Sequence, residues 1–114
     1  MKFKFKIDEN TSLDDVQKEL DSLKKASTPE IPLGPLRKII EYLGGNEVAA
    51  TGSSVRFKHE ALKGHPYFRA GIFQVHKIHK GGNLELIRKS DYKKYLYNPL
   101  IYIIATKKEQ KNEQ

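Results

Sequence analysis

At Gly44-Gly45 the hydrophobic period of the chain changes, and that change constrains the fold more than any other feature. Before it, Leu36, Ile39, Ile40 and Leu43 recur at i, i+3, i+4 and i+7, one apolar face of a helix. Pro35 suits the first helical position, and the glycine pair supplies the left-handed conformation that closes a helix. After it, Val55, Phe57 and His59 alternate with Ser54, Arg56 and Lys58 in the period-two pattern of a half-buried strand. Glu47 to Thr51 is a weaker strand candidate. Gly71 to His79 is a third, with Ile72, Phe73, Val75 and Ile78 on both parities, as in a central strand. Gly64 and Pro66 mark a turn ahead of it, and Lys80-Gly81-Gly82-Asn83 a turn behind it. Ser90 and Asp91 cap a further helix through Tyr97. Asn98-Pro99 is expected to stop that helix, because proline cannot continue the hydrogen-bond ladder. Helix, three strands, helix predicts a two-layer α+β domain, an antiparallel sheet with both helices on one face and the other face open.

The flanks are of different character. Phe3, Phe5 and Ile7 alternate with Lys2, Lys4 and Lys6, which predicts an N-terminal strand with lysines guarding its edge. Asn10, Thr11 and Ser12 are capping residues, Asp14 and Asp15 complement a helix dipole, and Leu13, Val16, Leu20 and Leu23 follow at helical spacing. The pattern predicts a helix over about 12–26. Ser27 to Pro35 reads as a linker of turn formers. Leu100 to Thr106 is β-branched and aromatic, so propensity favours a strand, with a second packed helix as the alternative. The division is therefore a strand–helix extension over 1–30, an αβββα domain over 31–97, and a hydrophobic segment with a polar tail over 98–114.

With 114 residues the chain suits one domain with a modest core. It has no cysteine, hence no disulfide framework, thiolate metal site or cysteine nucleophile. It has no apolar run long enough to span a bilayer, and its first residues lack the apolar block of a signal peptide. A cytoplasmic protein with no membrane association is the expectation. The charge is unevenly placed. Residues 52–96 carry ten Lys and Arg against three acids, a net +7 that equals the net charge of the whole chain. Residues 1–30, with six Lys and seven acids, are slightly acidic. A local basic surface points to a polyanionic partner, nucleic acid first.

Several features, taken in order, resemble the HicA-type toxins of bacterial toxin–antitoxin pairs. They are Leu43-Gly44-Gly45, then Gly52-Ser53 followed by Val55, Arg56 and Phe57, then Val75-His76-Lys77-Ile78-His79, then Asp91, Tyr92 and Leu96. The match covers about 33–97. The resemblance implies a double-stranded-RNA-binding-domain-like αβββα fold and an mRNA-cleaving activity, restrained by a cognate HicB-like antitoxin protein. The family places its catalytic histidine directly after Gly-Ser, and here that position is Ser54. Serine is no general acid or base near neutral pH, so the proton chemistry passes to His76 or His79. The alternative is a non-catalytic nucleic-acid-binding or protein-interaction module on the same fold.

Metal-independent RNA cleavage needs a base for the 2′-hydroxyl proton, an acid for the leaving oxygen, and cations on the phosphate. Histidine suits either proton role. On one regular strand His76 and His79 point to opposite faces, unless the strand breaks near Ile78. With apolar residues on both parities, the pattern leaves open which of them is exposed. Arg56 and Lys58 share the parity of Ser54 and are placed to hold phosphate, with Lys77, Lys80, Arg88, Lys89, Lys93 and Lys94 extending the footprint, a charged helix face being the alternative for the last four. His59, in phase with Val55 and Phe57, is expected to be packed, and His65 to be exposed and inert. Tyr67 and Phe68 are candidates for base stacking, and Tyr92 for the core. No spacing of ligands indicates a metal, and no cofactor is expected.

Overall fold

The computed structural model describes residues 5–68, 70–79 and 84–112. Helix α1 (Leu13–Lys25) opens with a reciprocal cap: Ser12 Oγ accepts from the Asp15 N–H at 3.1 Å, and Asp15 Oδ2 accepts from the Ser12 N–H at 3.0 Å. Strand β1 (Glu30–Pro32) leads directly into α2 (Leu33–Tyr42). Pro35 therefore occupies the third helical position, not the first. It is tolerated there because the N–H groups of a first turn have no intrahelical partner. At the other end Gly44 has a φ of +93°. The Gly45 N–H donates to the Ile40 carbonyl and the Gly44 N–H to that of Glu41, which closes the helix as the glycine pair implies.

Among the described residues six short strands form two three-stranded antiparallel sheets, where the sequence pattern had implied one. The first has the order β2-β3-β4, from Asn46–Val48, Ser54–Lys58 and Ile72–His76. The second has the order β1-β6-β5, where β5 is Ile78–His79 and β6 is Glu85–Arg88. The expected strand over 71–79 is thus broken at Lys77, whose backbone N–H turns to donate to the Ser53 carbonyl at 2.9 Å. The supposed linker supplies β1, which pairs with β6 in the register Ile31↔Ile87. Residues 5–8 form no strand, although Phe5 and Ile7 rest half-buried against the core; Phe3 lies outside the described residues, as does the turn at 80–83.

The helix expected to end at Asn98-Pro99 does not end there. An α turn (α3, Lys89–Asp91) runs into a π turn over Tyr92–Leu96 and then into α4 (Tyr97–Asn112). In the π turn the Tyr97 N–H reaches back to the Tyr92 carbonyl. This widening lies directly ahead of Pro99, where the ring would otherwise meet the carbonyl of Tyr95. Leu96, Leu100, Ile103 and Ile104 are all buried, at i, i+4, i+7 and i+8. Burial of that stripe overrides the strand propensity of Ile101 to Ile104.

One hydrophobic cluster joins every layer. Val16, Leu20 and Leu23 of α1 meet Leu36, Ile39 and Ile40 of α2, Val55, Phe57, Phe73 and Val75 of the first sheet, Ile87 of the second, and the C-terminal helix. Tyr92 is fully buried, as expected, and donates its hydroxyl to the Leu20 carbonyl at 2.6 Å. Burial pushes its phenol far above the usual tyrosine range. Among the described residues no helix is long and apolar enough to cross a membrane.

Candidate nucleic-acid interface

The register of the β3–β4 hairpin decides which side chains share the open face. Val55↔Val75 and Phe57↔Phe73 point inward, with the two phenyl rings 5.5 Å apart. The alternate pairs Ser54↔His76, Arg56↔Gln74 and Lys58↔Ile72 therefore point outward. His76, Gln74 and Lys58 are exposed, and Ser54 and Arg56 are half-buried. The ambiguity left by the apolar residues of both parities is thus resolved: the parity of His76 is the exposed one. The file from Ser54 to Lys58 is about 13 Å long at the usual strand rise.

Ser54 and His76 stand directly across the ladder, with Oγ 3.5 Å from Nδ1. That is a long contact at the limit of a hydrogen bond. It leaves Nε2 of His76 free of any described partner. Two residues along, the Nε of Arg56 is buried and has no partner among the described residues. A buried donor without an acceptor is costly.

Lys77 lies at the strand break and not in this file. Its Nζ pairs with Glu85 Oε2 at 2.7 Å, and Arg37 Nη1 pairs with Glu85 Oε1. Arg37 also holds Glu47 through Nε at 2.8 Å. This network, which pattern reading missed, ties α2 and the edge of the first sheet to the second sheet. Its members are 48 residues apart at the extreme, so no local spacing announces it. The hydrogen bonds from Arg37 and then Lys77 hold the Glu85 carboxyl at about 2, well below its usual 4.5. A carboxylate of lowered pKa stabilises the fold above its unfolded value and loses that contribution as it is protonated. Glu85→Gln is therefore expected to lower stability at pH 6, and the deficit should shrink as pH falls from about 4.5 towards about 2. Denaturant melts of parent and variant across that range measure it. A deficit independent of pH would contradict the assignment.

His79 belongs to β5, where its backbone pairs opposite Glu85, so the two candidate histidines sit in different sheets. Lys80 lies outside the described residues. His59 is buried at 8 % exposure, as its parity implies. Its Nε2 donates to the Leu43 carbonyl at 2.6 Å, and its Nδ1 accepts from the Ala61 N–H at 3.0 Å, so both ring nitrogens serve the fold. His65 is half-buried, against the expectation of simple exposure. Its ring centroid lies 4.7 Å from that of Tyr102 and 4.9 Å from that of Phe68. Tyr67 is 85 % exposed, while Phe68 is partly buried against the core. Among the described residues no group of three or more His, Asp or Glu side chains is placed to hold a metal ion.

Fold and face together define an α+β domain with a basic, histidine-bearing open sheet surface. Compared with known protein families, curated proteins and solved structures, the chain matches none of them.

Proposed function

We propose that this protein is a HicA-type RNA-binding toxin that cleaves mRNA by metal-independent acid–base chemistry and is neutralised by a cognate HicB-like antitoxin. In this reading α2, β2, β3, β4 and the C-terminal helix are a double-stranded-RNA-binding-domain-like αβββα core, and the β1-β6-β5 sheet is an addition to it. The observation that carries the reading is the register Ser54↔His76. The family's catalytic position, directly after Gly52-Ser53, is occupied here by serine. The residue directly across the ladder from that serine is a histidine. An imidazole is thus returned to the neighbourhood of the vacated position from the adjacent strand.

The roles follow from the file. Phosphate oxygens approach the guanidinium of Arg56, half-buried on the outward file, and Lys58 adds a point charge. His76 takes the proton of the adjacent 2′-hydroxyl. The 2′-oxygen then forms a bond to phosphorus as the bond from phosphorus to the 5′-oxygen breaks. The proton returns from the imidazolium, through water, to the leaving 5′-oxygen. The products are a 2′,3′-cyclic phosphate and a 5′-hydroxyl.

The test is incubation of the purified protein with end-labelled RNA in excess chelator, with retention measured in parallel against salt. Products ending in a cyclic phosphate are expected. Arg56→Ala/Lys58→Ala should weaken retention and flatten its salt dependence by about two phosphate contacts. Salt-sensitive retention without products would leave the binding module in place of the nuclease. Neither retention nor products would remove the reading altogether.

A further inference from the structure

A second basic site is built on the helical layer, from residues far apart in sequence. The last turn of α1 brings Lys24 and Lys25 beside Lys89 and Lys93 of the C-terminal helical segment. With Asp21 and Tyr97 they line one open depression of about 500 Å³. Lys25 and Lys93 come from segments of opposite overall charge, so the local basic window at 52–96 does not account for the site.

The lysines here differ from the ion-paired lysines of the surface. Lys63, Lys77 and Lys108 each have a carboxylate oxygen at 2.6–2.7 Å. Of the four lysines of the depression, Lys89 donates to the Ala26 carbonyl at the end of α1. Lys24 lies 4.2 Å from the centroid of the Tyr97 ring. Lys25 and Lys93 have no partner among the described residues. Asp21, spaced at i, i+4 to pair with Lys25, instead accepts the Tyr97 hydroxyl. That bond pushes the phenol up to about 12, burial adding to the effect, and so keeps it protonated as the donor. The one acid of the site is thereby engaged with the wall. Like charges gathered around a depression repel one another, and an anion seated among them removes that repulsion.

We infer that this depression is a binding site for a phosphoryl chain such as a triphosphate. Lysine ammonium groups are point charges without the planar fork that suits a carboxylate. They match a ligand that presents charged oxygens in several directions. The same chemistry is borne by a free nucleoside triphosphate and by the 5′-triphosphate end of an RNA. The site is separate from the Ser54–His76 face and does not depend on the activity proposed for it.

Calorimetric titration of the full chain with inorganic triphosphate tests the inference. Saturable one-site binding is expected, weakened at least about tenfold in Lys25→Glu/Lys93→Glu and in the milder Lys25→Gln/Lys93→Gln. It should be unchanged in Lys63→Gln, a surface lysine outside both sites. All four lysines' removal is unnecessary, and the two replaced side chains are exposed, so an unaltered melting temperature is the folding control. Tighter binding of a 5′-triphosphate RNA than of the same RNA with a 5′-hydroxyl, lost in the lysine variants, would assign the site to an RNA end. Equal affinity for the two RNAs, with triphosphate binding intact, would assign it to a free polyphosphate. Absent saturable binding, or binding that survives both lysine variants, would overturn the inference.

Discussion

Replacing His76 by alanine is expected to lower the rate of RNA cleavage by about 10²–10⁴-fold while leaving RNA retention within a factor of about three. The separation follows from the geometry of the face. His76 is exposed and, among the described residues, makes only a long contact, 3.5 Å, with Ser54, so its loss opens no cavity and leaves no buried group unpaired. In the proposed reading phosphate attraction rests on Arg56 and Lys58, which remain. Single-turnover cleavage and filter retention on the same preparation measure the two effects. An unchanged rate would take the chemistry away from His76. The cross-strand register supplies a sharper version of the test. In the His76→Ala background, Ser54→His should restore part of the rate, because the two positions face each other across one ladder. A folded double variant that retains RNA and stays inactive would argue that position 54 has no place in the chemistry.

The candidate site was partly legible in the sequence. Alternation placed Ser54, Arg56 and Lys58 on one parity and His59 on the other, and the buried ring of His59 and the outward file agree with it. The position of His76 was not legible, because Ile72, Phe73, Val75 and Ile78 occupy both parities. The reason is now physical: Ile78 belongs to a different strand in a different sheet, so its parity says nothing about β4. Lys77 looked like one more cation of a basic surface. It is instead neutralised by Glu85, a partnership set by the pairing of β5 with β6, which no local spacing encodes.

The fold was legible where local chemistry decides it. The α2 stripe and the Gly44-Gly45 stop each operate within a few residues and form as read, and of the three capping residues Ser12 is the N-cap, in a reciprocal bond with Asp15, to which the sequence pattern assigns only a dipole role. Short strands were not legible. Glu30–Pro32 and Glu85–Arg88 are three and four residues long, too short for a period, and each is defined mainly by the other. Pro99 misled in the opposite sense. Its rule presumes a regular α ladder ahead of it, and here a π turn stands in that place.

Leu20→Ala is expected to destabilise the whole chain by about 2–5 kcal/mol, the usual result of emptying a fully buried leucine site. That is a large share of the roughly 5–15 kcal/mol by which a domain of ordinary size is stable. The position matters because α1 stands in the segment whose charge and spacing set it apart as an extension. Were α1 an appendage, the substitution would loosen it alone and leave the unfolding of the remainder unchanged. The contacts argue otherwise. Leu20 is in one cluster with Ile87 and Leu96, its carbonyl receives the buried Tyr92 hydroxyl, and Asp21 beside it receives that of Tyr97. Loss of the side chain therefore acts on both sides of the core. A single cooperative denaturant transition, shifted as a whole and identical by fluorescence and by far-ultraviolet dichroism, is the expected record. Two transitions, with only the first one moved, would show α1 to be a separable unit.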